Sequence, residues 1–405
     1  MRIPLLSLAL VAAISTPIAN AADVTGYVVG GTPVDPEDAQ SWMASLRFTP
    51  NDTAHLCGGS VINKNWVLTA AHCVVHQLDG DSFSVLPPSM LSVMVGTTSS
   101  TIEDPAALYA ISHVVVHPDY TPNPVVKITT AADGSVTQDV IATALDSDLA
   151  LLRVGRSFPQ SSITPIALST AEIASSIETR LNREWSENSR PKNTKVSGWG
   201  STSSDGSGIA EALMEAELSF LPMTECFERL ESGNQQHYIL DSPLNRTKIC
   251  ALPPEILFDA DGSPQGFGPD SCKGDSGGPL RAQDASGVWR QIGIVSGGPV
   301  GSPVCGSISR PGFYTRVGTY FDWIESTVSS TPKHPVTNPD FIDNGLYGDA
   351  KEDAVNSEDC IDGVSGISPT NCSLQSGGGV VAWVVCLPLL LMAFVRRRHK
   401  KACLL

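Results

Sequence analysis

At 405 residues, with 41% hydrophobic and 17% charged side chains, the chain can bury a full-sized core and still carry appendages, which excludes an intrinsically disordered protein. Its 26 basic and 42 acidic residues give a formal net charge of −16. That balance argues against a nucleic-acid binder, because phosphates would be repelled, and it favours partners bearing Lys or Arg.

The first predicted element is an export signal over residues 1–21. Arg2, an apolar run over residues 5–14 and the small-x-small triplet Ala19-Asn20-Ala21 mark a cleavage after Ala21. Export places the ten cysteines in an oxidising compartment, so most should be paired. Cys386 and Cys403 are the exceptions, since one lies inside an apolar run and the other beyond it.

Over residues 28–329, short runs rich in Val, Ile and Leu are separated by Gly, Pro, Asn and Asp clusters, which predicts an all-β domain. Strands are expected at 66–69, 91–96, 110–116, 149–154, 195–198, 290–296 and 313–317. Two stretches have helical spacing instead: Ile173, Ile177, Leu181 and Trp185, then Phe321, Ile324 and Val328. Both are read as surface helices docked on the β wall.

Residues 330–379 shift to Pro, Asn, Asp, Ser and Gly and predict an acidic stalk, within which Cys360 and Cys372 would close a small loop. Beyond the glycine triplet at 377–379, an apolar run over 380–395 is followed by a basic tail, 396–405. This predicts a transmembrane segment with a basic cytoplasmic stop, at the short end of the roughly 17 to 25 residues such a helix needs. There is no internal repeat and no glycine-rich phosphate loop.

Three motifs carry chemistry: Leu68-Thr69-Ala70-Ala71-His72-Cys73, Asp148-Leu149-Ala150-Leu151-Leu152 and Asp270-Ser271-Cys272-Lys273-Gly274-Asp275-Ser276-Gly277-Gly278-Pro279. A serine hydroxyl is a poor nucleophile until an imidazole accepts its proton. The imidazole in turn needs a buried carboxylate to fix its tautomer and stabilise its charge. Ser276 and His72 supply the first two groups; for the third, Asp146 competes with Asp148, which is preferred because it immediately precedes an apolar strand.

The order His, Asp, Ser and the flanking residues resemble the chymotrypsin and trypsin family over most of residues 28–329. The resemblance implies two packed six-stranded antiparallel β-barrels, His72 and Asp148 coming from the first and Ser276 from the second, and peptide hydrolysis through an acyl-enzyme. It implies an oxyanion hole made by the amides of Gly274 and Ser276. It also implies a pocket for Arg or Lys with Asp270 at its base and Ser296, Gly298 and Gly312 on its walls. The family's bridges would join Cys57 to Cys73, Cys226 to Cys250 and Cys272 to Cys305. Val28-Val29-Gly30-Gly31 resembles the N-terminus freed on activation in this family, where the new amino group inserts beside the aspartate preceding the nucleophile, here Asp275. Residues 22–27 would then be a short propeptide, and its last residue, Tyr27, is not a basic residue, which points to activation by a different protease.

Some positions depart from the family. Gly297 stands where a tryptophan is usual, and insertions between His117 and Asp148, between Cys226 and Cys250 and between Cys250 and Asp270 lengthen loops around the cleft. Lys273 at the pocket mouth either favours acidic neighbours in the substrate or is simply solvated. No cofactor or metal is expected, because the cysteines are accounted for and Glu103-Asp104 alone does not make the family's calcium loop. The rival readings are a protease of apolar specificity and a pseudoprotease binding module. The tail resembles the GlyGly-CTERM sorting signals of Gram-negative bacteria, in which a sorting protease removes the helix. The expected location is therefore secreted or cell-surface, with a transient membrane anchor, and the expected partners are Arg- or Lys-bearing proteins and an activating protease.

Overall fold

The computed structural model describes residues 28–344, except 36–39, 50–53, 79–81, 103, 131–134, 234–236 and 299–300. The export signal, the propeptide, most of the stalk with Cys360 and Cys372, the apolar run 380–395 and the basic tail lie outside the described residues. Among the described residues no helix is long and apolar enough to cross a membrane.

The short strand β1 (Thr32–Pro33) is followed by β2 (Met43–Phe48), β3 (His55–Asn63), β4 (Trp66–Thr69) and a small hairpin, β5 (Val75–Gln77) with β6 (Phe83–Val85). Next come β7 (Leu91–Val95), β8 (Leu108–Val116), a second hairpin of β9 (Val125–Thr130) and β10 (Val136–Ala142), and β11 (Ala150–Val154). Six of these close in the order β11-β4-β3-β2-β7-β8, with β8 returning to β11. This is the first barrel. The strand β4 is buried along its whole length, which is why it reads in sequence as a continuous apolar run.

A 14-residue helix, α1 (Ala171–Glu184), links the barrels. The Thr170 hydroxyl caps it by accepting from Ile173 N at 3.3 Å, and Ile177 and Leu181 bury its apolar stripe in the second core. The second barrel is built from β12 (Thr194–Gly198), β13 (Met214–Leu221), the helix α2 (Met223–Glu231), β14 (Lys248–Leu252), β15 (Pro279–Gln283), β16 (Trp289–Gly297) and β17 (Gly312–Arg316). Its strands run β13-β12-β15-β16-β17-β14, β14 pairing back to β13, while β1 adds to the outer edge of β13. The predicted two-barrel, all-β architecture is thus the observed one. Disulfides join Cys57 to Cys73, Cys226 to Cys250 and Cys272 to Cys305.

After α3 (Val317–Val328) the chain does not leave the domain. Residues 330–344, read from composition as the start of a stalk, return to the first barrel. There β18 (Val336–Thr337) pairs in parallel with Val114 and Val115 of β8, and the short helix α4 (Asp340–Asp343) buries Phe341. So few apolar residues are spread through this segment that composition gave no sign of the docking, which rests on backbone pairing and one aromatic side chain.

Candidate active site

His72 sits in a single tight turn immediately after β4, and Asp148 lies just before β11, which pairs with β4. Neighbouring strands of one barrel therefore bring the two together. His72 donates its backbone N–H to Asp148 Oδ1 at 2.9 Å and its Nδ1–H to Oδ2 at 2.8 Å, which leaves Nε2 as the ring nitrogen not engaged by the carboxylate. Asp148 is fully buried; its Oδ2 also accepts the Ser296 hydroxyl at 2.5 Å, and its carbonyl accepts Thr315 Oγ1 at 2.9 Å. Asp146, the competing carboxylate, accepts only the neighbouring Ser147 amide through Oδ1 and stays in the turn. Ser296, expected on the pocket wall, also donates its hydroxyl to Asp148.

The turn bearing Ser276 is clasped against the first barrel, since Gly58 N donates to Ser276 O at 2.7 Å. Gly277 adopts φ +81°, and a Cβ there would lie 2.2 Å from Thr69 Oγ1 and 2.5 Å from Gly58 O, so only glycine fits. The nucleophile's loop and the His72 segment are thereby packed together. The Ser276 side chain is half-buried and its hydroxyl makes no hydrogen bond among the described residues. Bonds between nucleophile and base commonly tighten only when substrate is bound.

Orientation of the Gly274 amide follows from the peptide before it. Lys273 O accepts Ser201 N at 2.7 Å, and in a planar trans peptide the Gly274 N–H must point the opposite way. Gly274 itself has φ +98°. Its carbonyl accepts His55 Nε2 at 2.8 Å, and His55 Nδ1 lies 2.7 Å from Ser45 Oγ. Burial pushes the His55 pKa down to about 4, so the ring is neutral. The carbonyl can only accept, so the proton sits on Nε2 and the Ser45 hydroxyl donates to Nδ1. His55 was not picked out in the sequence, because a histidine on a strand gives no local pattern that separates this role from a core one.

Asp270 is buried, and its carboxylate accepts backbone N–H groups from Ser271 at 2.9 Å and Gly306 at 3.0 Å. Burial raises its pKa to about 7, and the nearby Asp275 pushes in the same direction. A Cβ on Gly312 would lie 3.7 Å from Asp270 Oδ1, so this glycine borders the carboxylate, whereas one on Gly298 would meet nothing within 4 Å. Gly297 has a local cause: any Cβ there would lie 2.5 Å from the Phe313 ring, which fills the space. Asp275 is fully buried, accepts Gly200 N and Cys272 N at 2.8 Å each, and is likewise raised to about 7 by burial. Val28 is seated in the core of the second barrel, and Val29 O accepts Asp270 N at 3.0 Å. Lys273 is exposed, its stem passing over Gly206. Cys57, His72 and Cys73 cluster closely enough to suggest a metal, but the disulfide removes both thiolates.

The sequence model of the trypsin family matches residues 28–324. Human Serine protease 41 is 31% identical over 306 residues, covering 72% of this chain and 74% of that protein. Serine protease grass of Drosophila melanogaster is 30% identical over 304 residues, covering 72% of this chain and 65% of its own length.

The His55 contact generates a test. His55→Phe keeps a buried ring but removes the donor to Gly274 O, and turnover per active site is expected to fall roughly 10- to 100-fold with little change in KM. A wild-type turnover number would show that Gly274 is held in place without His55.

Proposed function

Because the chain belongs to the trypsin family and is a serine endopeptidase, we propose that Ser276, His72 and Asp148 form its catalytic triad and that it cleaves after Arg or Lys. The observation that carries the triad is the double hydrogen bond from His72 to Asp148 beside the Ser276 turn. Ser276 Oγ attacks the scissile carbonyl carbon while His72 Nε2 takes its proton. The oxyanion then receives the N–H groups of Gly274 and Ser276. Collapse breaks the C–N bond, His72 returns the proton to the leaving amine, and a water activated by His72 hydrolyses the ester. Asp148 keeps Nδ1 protonated throughout. Ser276→Ala should abolish hydrolysis, and a sulfonyl fluoride should label Ser276 alone; stoichiometric labelling at another residue would remove the mechanism.

The Arg or Lys preference rests on Asp270, a buried carboxylate with two backbone donors and no cationic partner among the described residues. A substrate guanidinium or ammonium would supply that charge. With the pKa raised to about 7, the free enzyme progressively protonates Asp270 as pH falls below 7 and loses its attraction for cations. The ratio of kcat/KM for an Arg substrate to that for a neutral one, in which the His72 titration cancels, should therefore fall by up to about tenfold per pH unit below 7. In Asp270→Asn the ratio should be low and flat with pH. A ratio in the wild type that is low and as flat as in Asp270→Asn would assign the pocket to apolar residues instead.

Activation is proposed to follow cleavage before Val28. Val28 has φ +42°, a conformation costing a β-branched residue about 1–3 kcal/mol in an intact chain. That dihedral is defined through the preceding carbonyl carbon, so cutting the bond before Val28 abolishes the strain and frees an amino group that could pair with Asp275. The active form should begin at Val28 on N-terminal sequencing, and full activity in a species beginning at Ala22 would overturn this scheme. Export and temporary anchoring by residues 380–395 are part of the same proposal, and they rest on the sequence patterns alone.

A further inference from the structure

We infer that Phe341, carried on a strap after the last long helix, is a positioning residue that fixes two cleft-flanking segments and thereby tunes the binding of extended substrates. The inference rests on the endopeptidase reading, and not on the Arg or Lys preference.

The strap is tied to the first barrel at several points. Pro335 O accepts Val114 N at 2.8 Å, Val336 and Thr337 pair with β8, and Asp340 N donates to Pro118 O at 2.8 Å. Within the strap, Asn338 Nδ2 donates to Asp343 Oδ1 and Asn344 N to Asp340 O, both at 2.8 Å, which holds α4 in shape. These bonds present Phe341 inward, 3% exposed. Its ring stands edge-on to Phe83, centroids 5.4 Å apart, and 6.1 Å from Tyr120 at 65°.

Both neighbours lead to the catalytic residues. Phe83 lies on β6, opposite Gln77 of β5, and β5 starts three residues after His72. The hairpin thus leaves directly from the turn that bears His72, with His76 on its first strand. Tyr120 precedes Thr121, which bridges to Asp146, two residues before Asp148. Between Thr121 and Asp146 the chain runs out into the β9–β10 hairpin. The strand β10 is largely exposed, so the hairpin's position depends on its base, where Leu145 N donates to Pro122 O and Ala144 N to Tyr238 O. Phe341 thus joins the segment leaving His72 to the segment approaching Asp148 without touching either residue. A peptide running along the cleft would meet both segments, whereas a single-residue substrate would meet only the triad and the primary pocket.

The test uses full-length Phe341→Ala and Phe341→Leu enzymes with concentrations fixed by active-site titration. Two substrates share the residue that the wild type cleaves best: a single-residue amide, and a peptide extending several residues on both sides. For Phe341→Ala, KM for the peptide should rise about tenfold while kcat/KM for the amide stays within about twofold of wild type. Phe341→Leu should fall between. An equal loss on both substrates, or no change on either, overturns the inference, since a residue serving only stability would act on both alike. Should Phe341→Ala fail to fold, the split or its absence in Phe341→Leu decides in the same way. A wild type that cleaves after a residue other than Arg or Lys would refute the specificity reading alone, because the pair of substrates is built on whichever residue it prefers.

Discussion

A fully buried carboxylate at Asp148 is tolerable only because donors converge on it, and they come from both barrels. His72 supplies two from the first barrel, while Ser296 on β16 supplies a third from the second. Thr315 on β17 bonds the backbone carbonyl of the same residue. Removing the donors of either barrel while the carboxylate stays buried would leave it short of partners, at a cost of several kcal/mol. The interface between the barrels and the geometry of the base are therefore one constraint: the site exists where the two barrels satisfy a shared charge, and the Ser276 turn is pressed against Gly58 and Thr69 at the same junction.

The second barrel handles its buried acids differently. Asp270 and Asp275 each accept two backbone N–H groups, and both are raised to about 7. A carboxylate whose folded pKa lies above its unfolded value of 3.8 contributes most to stability below that unfolded value. The contribution is lost as pH rises through about 7. At neutral pH the domain thus holds two partly ionised, mutually repelling groups that would each gain from a cation. One is bordered by Gly312, and the other immediately precedes Ser276. Binding of a basic substrate residue and insertion of a new N-terminus would act on the same electrostatic deficit from two sides.

Much of this was legible in the sequence, because the relevant signals are local. His72, Asp148 and Ser276 sit in short motifs, and strands such as β4 and β11 are apolar over consecutive residues. Other strands were hidden by their own chemistry. The strand β3 carries Gly58-Gly59, a turn signal in isolation, together with the buried polar residues His55 and Ser60. The β9–β10 hairpin has little apolar surface to bury and read only as an inserted loop. The His55 bond to Gly274 and the Ser296 bond to Asp148 were not legible because each joins residues far apart in sequence. The strap was misread because one phenylalanine and two paired residues cannot shift a composition average.

These departures share a location. The catalytic core is confined by close contacts that leave little freedom: Gly277 fits only without a side chain, and Gly297 is enforced by Phe313. Around that core lie the β9–β10 hairpin, the β5–β6 hairpin and the strap, whose Phe341 packs against Phe83 and Tyr120. Loops on a rigid frame can change without disturbing the chemistry, and so they are where selectivity is most readily altered. A C-terminal segment that docks beside them adds a connection that loop lengths alone do not reveal. It ties residues 335–341 to the same barrel that carries His72 and Asp148, through β8, Pro118, Phe83 and Tyr120.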